Sequence, residues 1–203
     1  MKRRRVIVLS LVCGVGIGVG LAVAFRDSGP SPPPLRGPTF PTGLRAPDFS
    51  LRDQDGARVA LHDYRLDVVL VTFMSTSCPD SCAAVVTQVR EAIDQVGHAV
   101  TFLAVSDDPA HDTSARARKL LRRLRMTGRM SFLLGSETKL APVWKSYAFA
   151  PPRDALDQPS FVNIVDRVGR LRVGYPAAKL TSDDLAHDVR LLEREHVRVA
   201  GRR

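Results

Sequence analysis

Val68-Val69-Leu70-Val71-Thr72-Phe73, then Met74-Ser75-Thr76-Ser77, then Cys78-Pro79-Asp80-Ser81-Cys82, is the stretch on which the fold turns. The first six residues form a continuous, mostly apolar run rich in β-branched side chains. That is the pattern of a strand buried on both faces. Beyond the cysteines, Ser81 to Val96 carries Val85, Val89, Ile93 and Val96 at helical spacing. A right-handed crossover lays this helix on a sheet face with its N-terminus at the strand's C-terminal end. Open α/β sheets place their chemistry at that end.

Working outward, Val100–Val105 reads as a second buried strand, and Thr113–Leu124 as a basic helix with Leu120, Leu121 and Leu124 inward. Phe132–Leu134 is a short strand and Glu137–Tyr147 a helix. Phe161–Val165 and Leu171–Val173 form a hairpin across Arg167-Val168-Gly169, and Asp183–Glu195 closes the chain as a helix. Upstream, Pro47–Leu51 and Val59–Leu61 flank the turn Asp53-Gln54-Asp55-Gly56. Strand and helix alternate and a late hairpin follows, so the expected class is α/β, a mixed central sheet flanked by helices.

The cysteine pair sits at the strand-to-helix junction. Cys78 is expected at or just before the helix N-terminus, where free backbone amides and the helix dipole favour a thiolate. Pro79 suits the first helical position. Cys82 lies one turn further on the same side. Such a pair can close a reversible disulfide, or hold a soft ion such as Cu(I) between two thiolates. The blander alternatives are two packed apolar cysteines or an inert structural bridge.

The chain has 203 residues and a formal net charge of +9. Lys2, Arg3, Arg4, Arg5 and Arg26 supply five of these charges, and the rest of the chain holds 25 basic and 21 acidic residues. The basic excess is therefore mostly N-terminal, which argues against a nucleic-acid-binding face. Val6–Phe25 is a run of 20 uncharged residues, about 30 Å as a helix and long enough to cross a bilayer. Positive charge before it stays cytoplasmic. The expected place is therefore the cell membrane, single-pass, with the domain extracytoplasmic. Alternatively the segment is removed after Ala22-Val23-Ala24 and the domain is secreted. Cys13 is a membrane-buried apolar residue on this reading. The expected organisation is a signal anchor or signal peptide over 1–26, a Pro-rich linker over 27–45, an α/β domain over 46–197 and a basic tail over 198–203.

The C-x-x-x-C spacing, with its surroundings, resembles the Sco/SenC family of copper chaperones. Cys78-Pro79-Asp80-Ser81-Cys82 carries the resemblance together with Val105-Ser106-Asp107-Asp108-Pro109-Ala110-His111-Asp112-Thr113, which is similar to the family's S-x-D-P-x-x-D-T segment. Phe49–Gly56, Leu134-Gly135-Ser136 and Asp166–Leu171 resemble its opening hairpin, its G-S helix start and its late D-x-x-G turn. The resemblance implies a thioredoxin-like fold with an N-terminal transmembrane helix, and work in assembling the copper centre of cytochrome c oxidase. It implies copper at Cys78 and Cys82, and the copper-binding oxidase subunit, or another extracytoplasmic thiol protein, as partner. The family's third ligand is a histidine about eight residues before the late aspartate. Here that position is Gln158, an amide and a poor Cu(I) ligand. His111 is the substitute donor by position, and Met74 is a soft residue near the pair; neither is expected to serve.

Dithiol exchange needs no histidine: one thiolate attacks a partner disulfide and the other resolves the mixed disulfide. Two readings thus stand beside copper delivery. One is a general extracytoplasmic thiol–disulfide oxidoreductase without copper, and the other a non-catalytic binding module. Asp107, Asp108 and Asp112 are expected to serve turn and helix-cap chemistry, with Asp112 or Thr113 as the cap. Arg116, Arg118, Lys119, Arg122, Arg123, Arg125 and Arg129 read as a solvated basic face, or as contact with anionic lipid or an acidic partner.

Overall fold

The structure is a computed structural model and describes residues 34–151 and 161–200. Val6–Phe25 and Gln158 lie outside the described residues. Among those described, no helix is long and apolar enough to cross a membrane.

Five strands form the central sheet: β3 (Val69–Met74), β4 (Thr101–Ser106), β5 (Ser131–Leu133), β6 (Phe161–Val165) and β7 (Leu171–Pro176), after a hairpin of β1 (Ser50–Arg52) and β2 (Arg58–Ala60). Their order is β5-β4-β3-β6-β7. β3, β4 and β5 are parallel, and β6 runs antiparallel to both β3 and β7, so the sheet is mixed as expected. The β3–β4 register, Val69 opposite Thr101 through Met74 opposite Ser106, brings both C-terminal ends to one edge.

The apolar run of β3 is divided by strand alternation. Leu70 and Met74 face a core built with helices α1 (Asp80–Val96), α2 (Ser114–Arg123) and α4 (Ser182–Ala200). Val69, Val71 and Phe73 face α3 (Glu137–Ser146) and the β1–β2 hairpin. Val85, Val86 and Val89 of α1 join Leu185 and Val189 of α4 in the first core. With helices on one face and a helix plus hairpin on the other, both faces of β3 are dry, which explains its lack of polar alternation.

Leu35–Arg45, read from the sequence as the end of a spacer, belongs to the folded unit. Thr39 bridges Val173, Phe40 donates its amide to Arg172, and Pro38 accepts from the Gly174 amide at 2.9 Å. Prolines are poor in central strands because they lack a donor. They are compatible with this one-sided strap, in which Pro38 only accepts.

Candidate dithiol site

The site is built at the C-terminal end of β3. Met74 closes the strand, Ser75–Pro79 forms a short loop, and α1 begins at Asp80. Pro79 is the N-cap of α1, one position earlier than its expected place, and its φ of −64° is the value the ring imposes. Cys78 has φ +23°, a backbone region that non-glycine residues rarely occupy. Cys82 lies in the first turn of α1. The two cysteines are joined as a disulfide with Cα atoms 5.4 Å apart. Both are buried, 3% and 6% exposed, and they share a core cluster with Met74 and Val85.

A neighbouring loop holds this strained turn in place. Asp112, between β4 and α2, accepts the Thr76 amide at 2.7 Å and the Thr76 hydroxyl at 2.6 Å. Its second oxygen accepts the Ser106 hydroxyl at 2.5 Å. The Ser106 carbonyl accepts the indole N–H of Trp144 at 3.0 Å, which links the arrangement to α3. On the other side of the loop, Arg123 of α2 donates to the Cys78 carbonyl at 2.8 Å. The cysteine turn is thus gripped by one carboxylate and one guanidinium from outside its own segment.

Chemically, the reduced pair would place two soft donors at a helix N-terminus. The first-turn amides of α1 have no acceptor within the helix, and they favour the thiolate form. Two thiolates one turn apart fit two-coordinate Cu(I) as cargo. Among the described residues no cluster of three or more His, Cys, Asp or Glu side chains could hold a metal ion. Met74 is 2% exposed within the α1-side core. His111 lies at the same end of the sheet with its Nδ1 2.9 Å from the Asp108 carboxylate. Gln158 is outside the described residues.

The sequence reading missed two positioning residues. Of the two cap candidates, Thr113 is the cap, accepting from the Arg116 amide at 3.3 Å, and Asp112 holds Thr76 instead. The available signal was that the Asp107–Asp112 loop follows a strand parallel to β3. The basic segment is also less free than it looked. Arg118 donates to the Gln54 carbonyl at 2.7 Å, Arg129 pairs with Asp94 at 2.6 Å, and Arg123 holds Cys78.

Fold and geometry together define a protein of thioredoxin-like fold with a C-x-x-x-C pair bridged at the start of its first helix. The family model for SCO1/SenC matches residues 40–192, and the chain belongs to that family. The structure is similar to that of ScoI from Bradyrhizobium japonicum with copper bound. That match has TM-score 0.62 and 25% identity, covering 73% of this chain and 99% of the other. It is also similar to copper-bound ScoI from Arabidopsis thaliana, with TM-score 0.65 and 23% identity over 75% and 99% of the two chains. A third similar structure is BsSco, a member of the Sco family of cytochrome c oxidase assembly proteins in which a disulfide switch was identified. It has TM-score 0.65 and 23% identity, over 75% of this chain and 95% of that one. A comparison with curated protein sequences gives no match.

Proposed function

We propose that this protein acts outside the cytoplasm, anchored by Val6–Phe25, in assembling the copper centre of cytochrome c oxidase. Cys78 and Cys82 deliver Cu(I) or reduce the cysteines of that centre. Membership of the SCO1/SenC family and the copper-bound relatives support the pathway. The observation that carries the chemistry is the Cys78–Cys82 bridge, closed across the start of α1 at the C-terminal end of β3.

In copper delivery, the reduced pair binds Cu(I) as two thiolates, and the ion passes to partner thiolates by stepwise ligand exchange. In the reductive route, one thiolate attacks a partner disulfide, forms a mixed disulfide and releases the first partner thiolate. The second thiolate then closes Cys78–Cys82 and releases the second partner thiolate, so two electrons leave this chain. The closed bridge, and the amide side chain at Gln158 in place of a histidine, favour the reductive route as the second reading. It extends to other extracytoplasmic thiol proteins.

Titration of the reduced full-length protein with Cu(I) tests the first reading. One tightly bound equivalent, lost in Cys78→Ser, is expected. Binding no stronger than that of Cys78→Ser/Cys82→Ser overturns copper delivery. Equilibration with glutathione buffers tests the second: a reversible two-electron couple is expected, and a bridge that resists every buffer overturns it.

A further inference from the structure

We infer that the cleft between the cysteine loop and α2 docks an acidic segment of the thiol partner. This inference rests on the dithiol reading above and names the chemistry of the partner it requires. The cleft encloses about 350 Å³ and is lined by Thr76 and Ser77 of the cysteine loop, by Asp108 and His111, and by Arg116, Lys119, Leu120 and Arg123 of α2.

Arg116, Lys119 and Arg123 follow one another at i, i+3 and i+7, so they share one helix face. All three are exposed. Like charges at these spacings repel, and folds usually set a carboxylate against them. Of the remaining basic residues around α2, Arg118 lies 3.4 Å from Asp55 and Arg129 2.6 Å from Asp94, whereas Arg122 and Arg125 form no ion pair among the described residues. What sets the cleft apart is that three charges converge on one concavity. Among the described residues none of its three cations forms an ion pair. Arg116 donates to the His111 carbonyl at 3.0 Å and Arg123 to the Cys78 carbonyl at 2.8 Å, both neutral acceptors. Asp108, the only acidic residue lining the cleft among the described residues, already bonds His111 at 2.9 Å.

The surplus positive charge therefore lies in a concavity one residue from Cys78. Its floor is Leu120, 2% exposed, which takes the stem of a side chain rather than its charge. A flexible stretch carrying two or three Asp or Glu residues beside the target cysteine fits this layout. Its carboxylates meet Arg116 and Lys119, and its sulfur comes to the bridge. A flat lipid surface fits less well, because the face is recessed and must open to the partner when sulfur chemistry occurs. Long-range attraction by such a patch also speeds and orients encounter.

The test uses full-length protein in phosphatidylcholine nanodiscs and labelled 12-residue peptides. Each peptide holds one serine in the cysteine position, flanked by three Glu, three Gln or three Lys, and binding is read by anisotropy. Without a thiol, the peptide reports docking even if the protein proves inert toward copper and disulfides, so the two proposals fail separately. The Glu peptide is expected to bind about tenfold tighter than the Gln peptide at low salt, with the preference fading as salt rises. Arg116→Glu/Lys119→Glu should abolish the preference, whereas Arg122→Glu, the same kind of charge change on exposed α2 surface outside the cleft lining, should leave most of it. Lys119→Glu alone breaks no hydrogen bond described here, so its loss of preference cannot be blamed on misfolding. Equal affinity for Glu and Gln peptides overturns the proposal, as does an equal loss in Arg122→Glu. A third overturning result is protection of 114–123 from deuterium exchange in phosphatidylglycerol nanodiscs without peptide discrimination, which gives the face to lipid.

Discussion

Asp112 accepts two hydrogen bonds from Thr76, one from its amide at 2.7 Å and one from its hydroxyl at 2.6 Å. Because Thr76 lies two residues before Cys78, a side chain from the β4–α2 loop sets where the cysteine turn sits. The other Asp112 oxygen is committed to the Ser106 hydroxyl, so the carboxylate ties two parallel strand ends together.

Asp112→Ala is expected to cost about 1–3 kcal/mol in urea unfolding, since it strands donors that are partly buried. Asp112→Asn should cost less. Its carbonyl can still accept from Thr76, and its amide can donate to the Ser106 oxygen. The reduced Ala variant should also lose Cu(I) affinity, since the turn then places the two sulfurs less firmly. A stability for Asp112→Ala equal to that of the unmodified chain would remove Asp112 as the tether.

Asp188 does comparable work for the strap. It is fully buried and accepts the amides of Arg36 at 2.8 Å and Gly37 at 3.0 Å and the Tyr175 hydroxyl at 2.6 Å. Tyr175→Phe should cost about 1–3 kcal/mol through the lost charge-assisted bond. Gly37→Ala should be at least as damaging, because a Cβ there meets Val173 Cγ1 at 2.3 Å and the Tyr175 ring at 2.5 Å. Deuterium exchange at 35–40 should accelerate in both variants. Unchanged exchange with lowered stability would place the loss elsewhere.

These two carboxylates show where the sequence was legible and where it was not. The strand Val69–Met74, the helix after it and the cysteine junction follow from local pattern: a dry β-branched run, apolar residues at helical spacing, and a proline whose fixed φ suits a helix start. Their boundaries moved by a residue or so because caps decide the ends, as at Pro79 and Thr113. Asp112 and Asp188 were not legible in this way. Each has its meaning in partners 36 and 152 positions away, Thr76 and Arg36, and no window of sequence contains such a pair. The strap failed for a related reason. Six prolines between Arg26 and Ala46 advertise a spacer, and only the structure shows that Leu35–Arg45 lies against the edge of β7.

The Cys78–Cys82 bridge should stabilise the fold only modestly. It closes a loop with a sequence separation of 4, for which loop-closure entropy gives about 2 kcal/mol. Adding reductant should lower the urea midpoint of the unmodified chain by an amount equivalent to that figure. It should leave Cys78→Ser/Cys82→Ser unmoved. A reductant-insensitive midpoint in the unmodified chain would mean that the pair is open in solution. A loss several times larger would mark the bridge as structural and weaken the case for a redox role.

Asp166 gives the fold a pH dependence of predictable sign. Burial alone would push its carboxyl up, but the Arg170 amide at 2.9 Å, the Arg170 side chain at 2.8 Å and the Arg172 guanidinium at 3.1 Å outweigh that and hold it below the ordinary value of 3.8. Between the lowered folded value and 3.8 the unfolded chain binds more protons than the folded one, so stability rises with pH through that window. The contribution is therefore complete above the ordinary value and is lost as pH falls through the folded value. Asp166→Asn keeps an acceptor for the Val168 and Arg170 amides but carries no charge for the two arginines. Its stability deficit should be constant near neutral pH and should shrink below the ordinary carboxylate range. Urea midpoints of both proteins across the acid range measure this. A deficit that grows on acidification would reverse the sign and contradict the assignment of the arginines as the groups that hold Asp166 ionised.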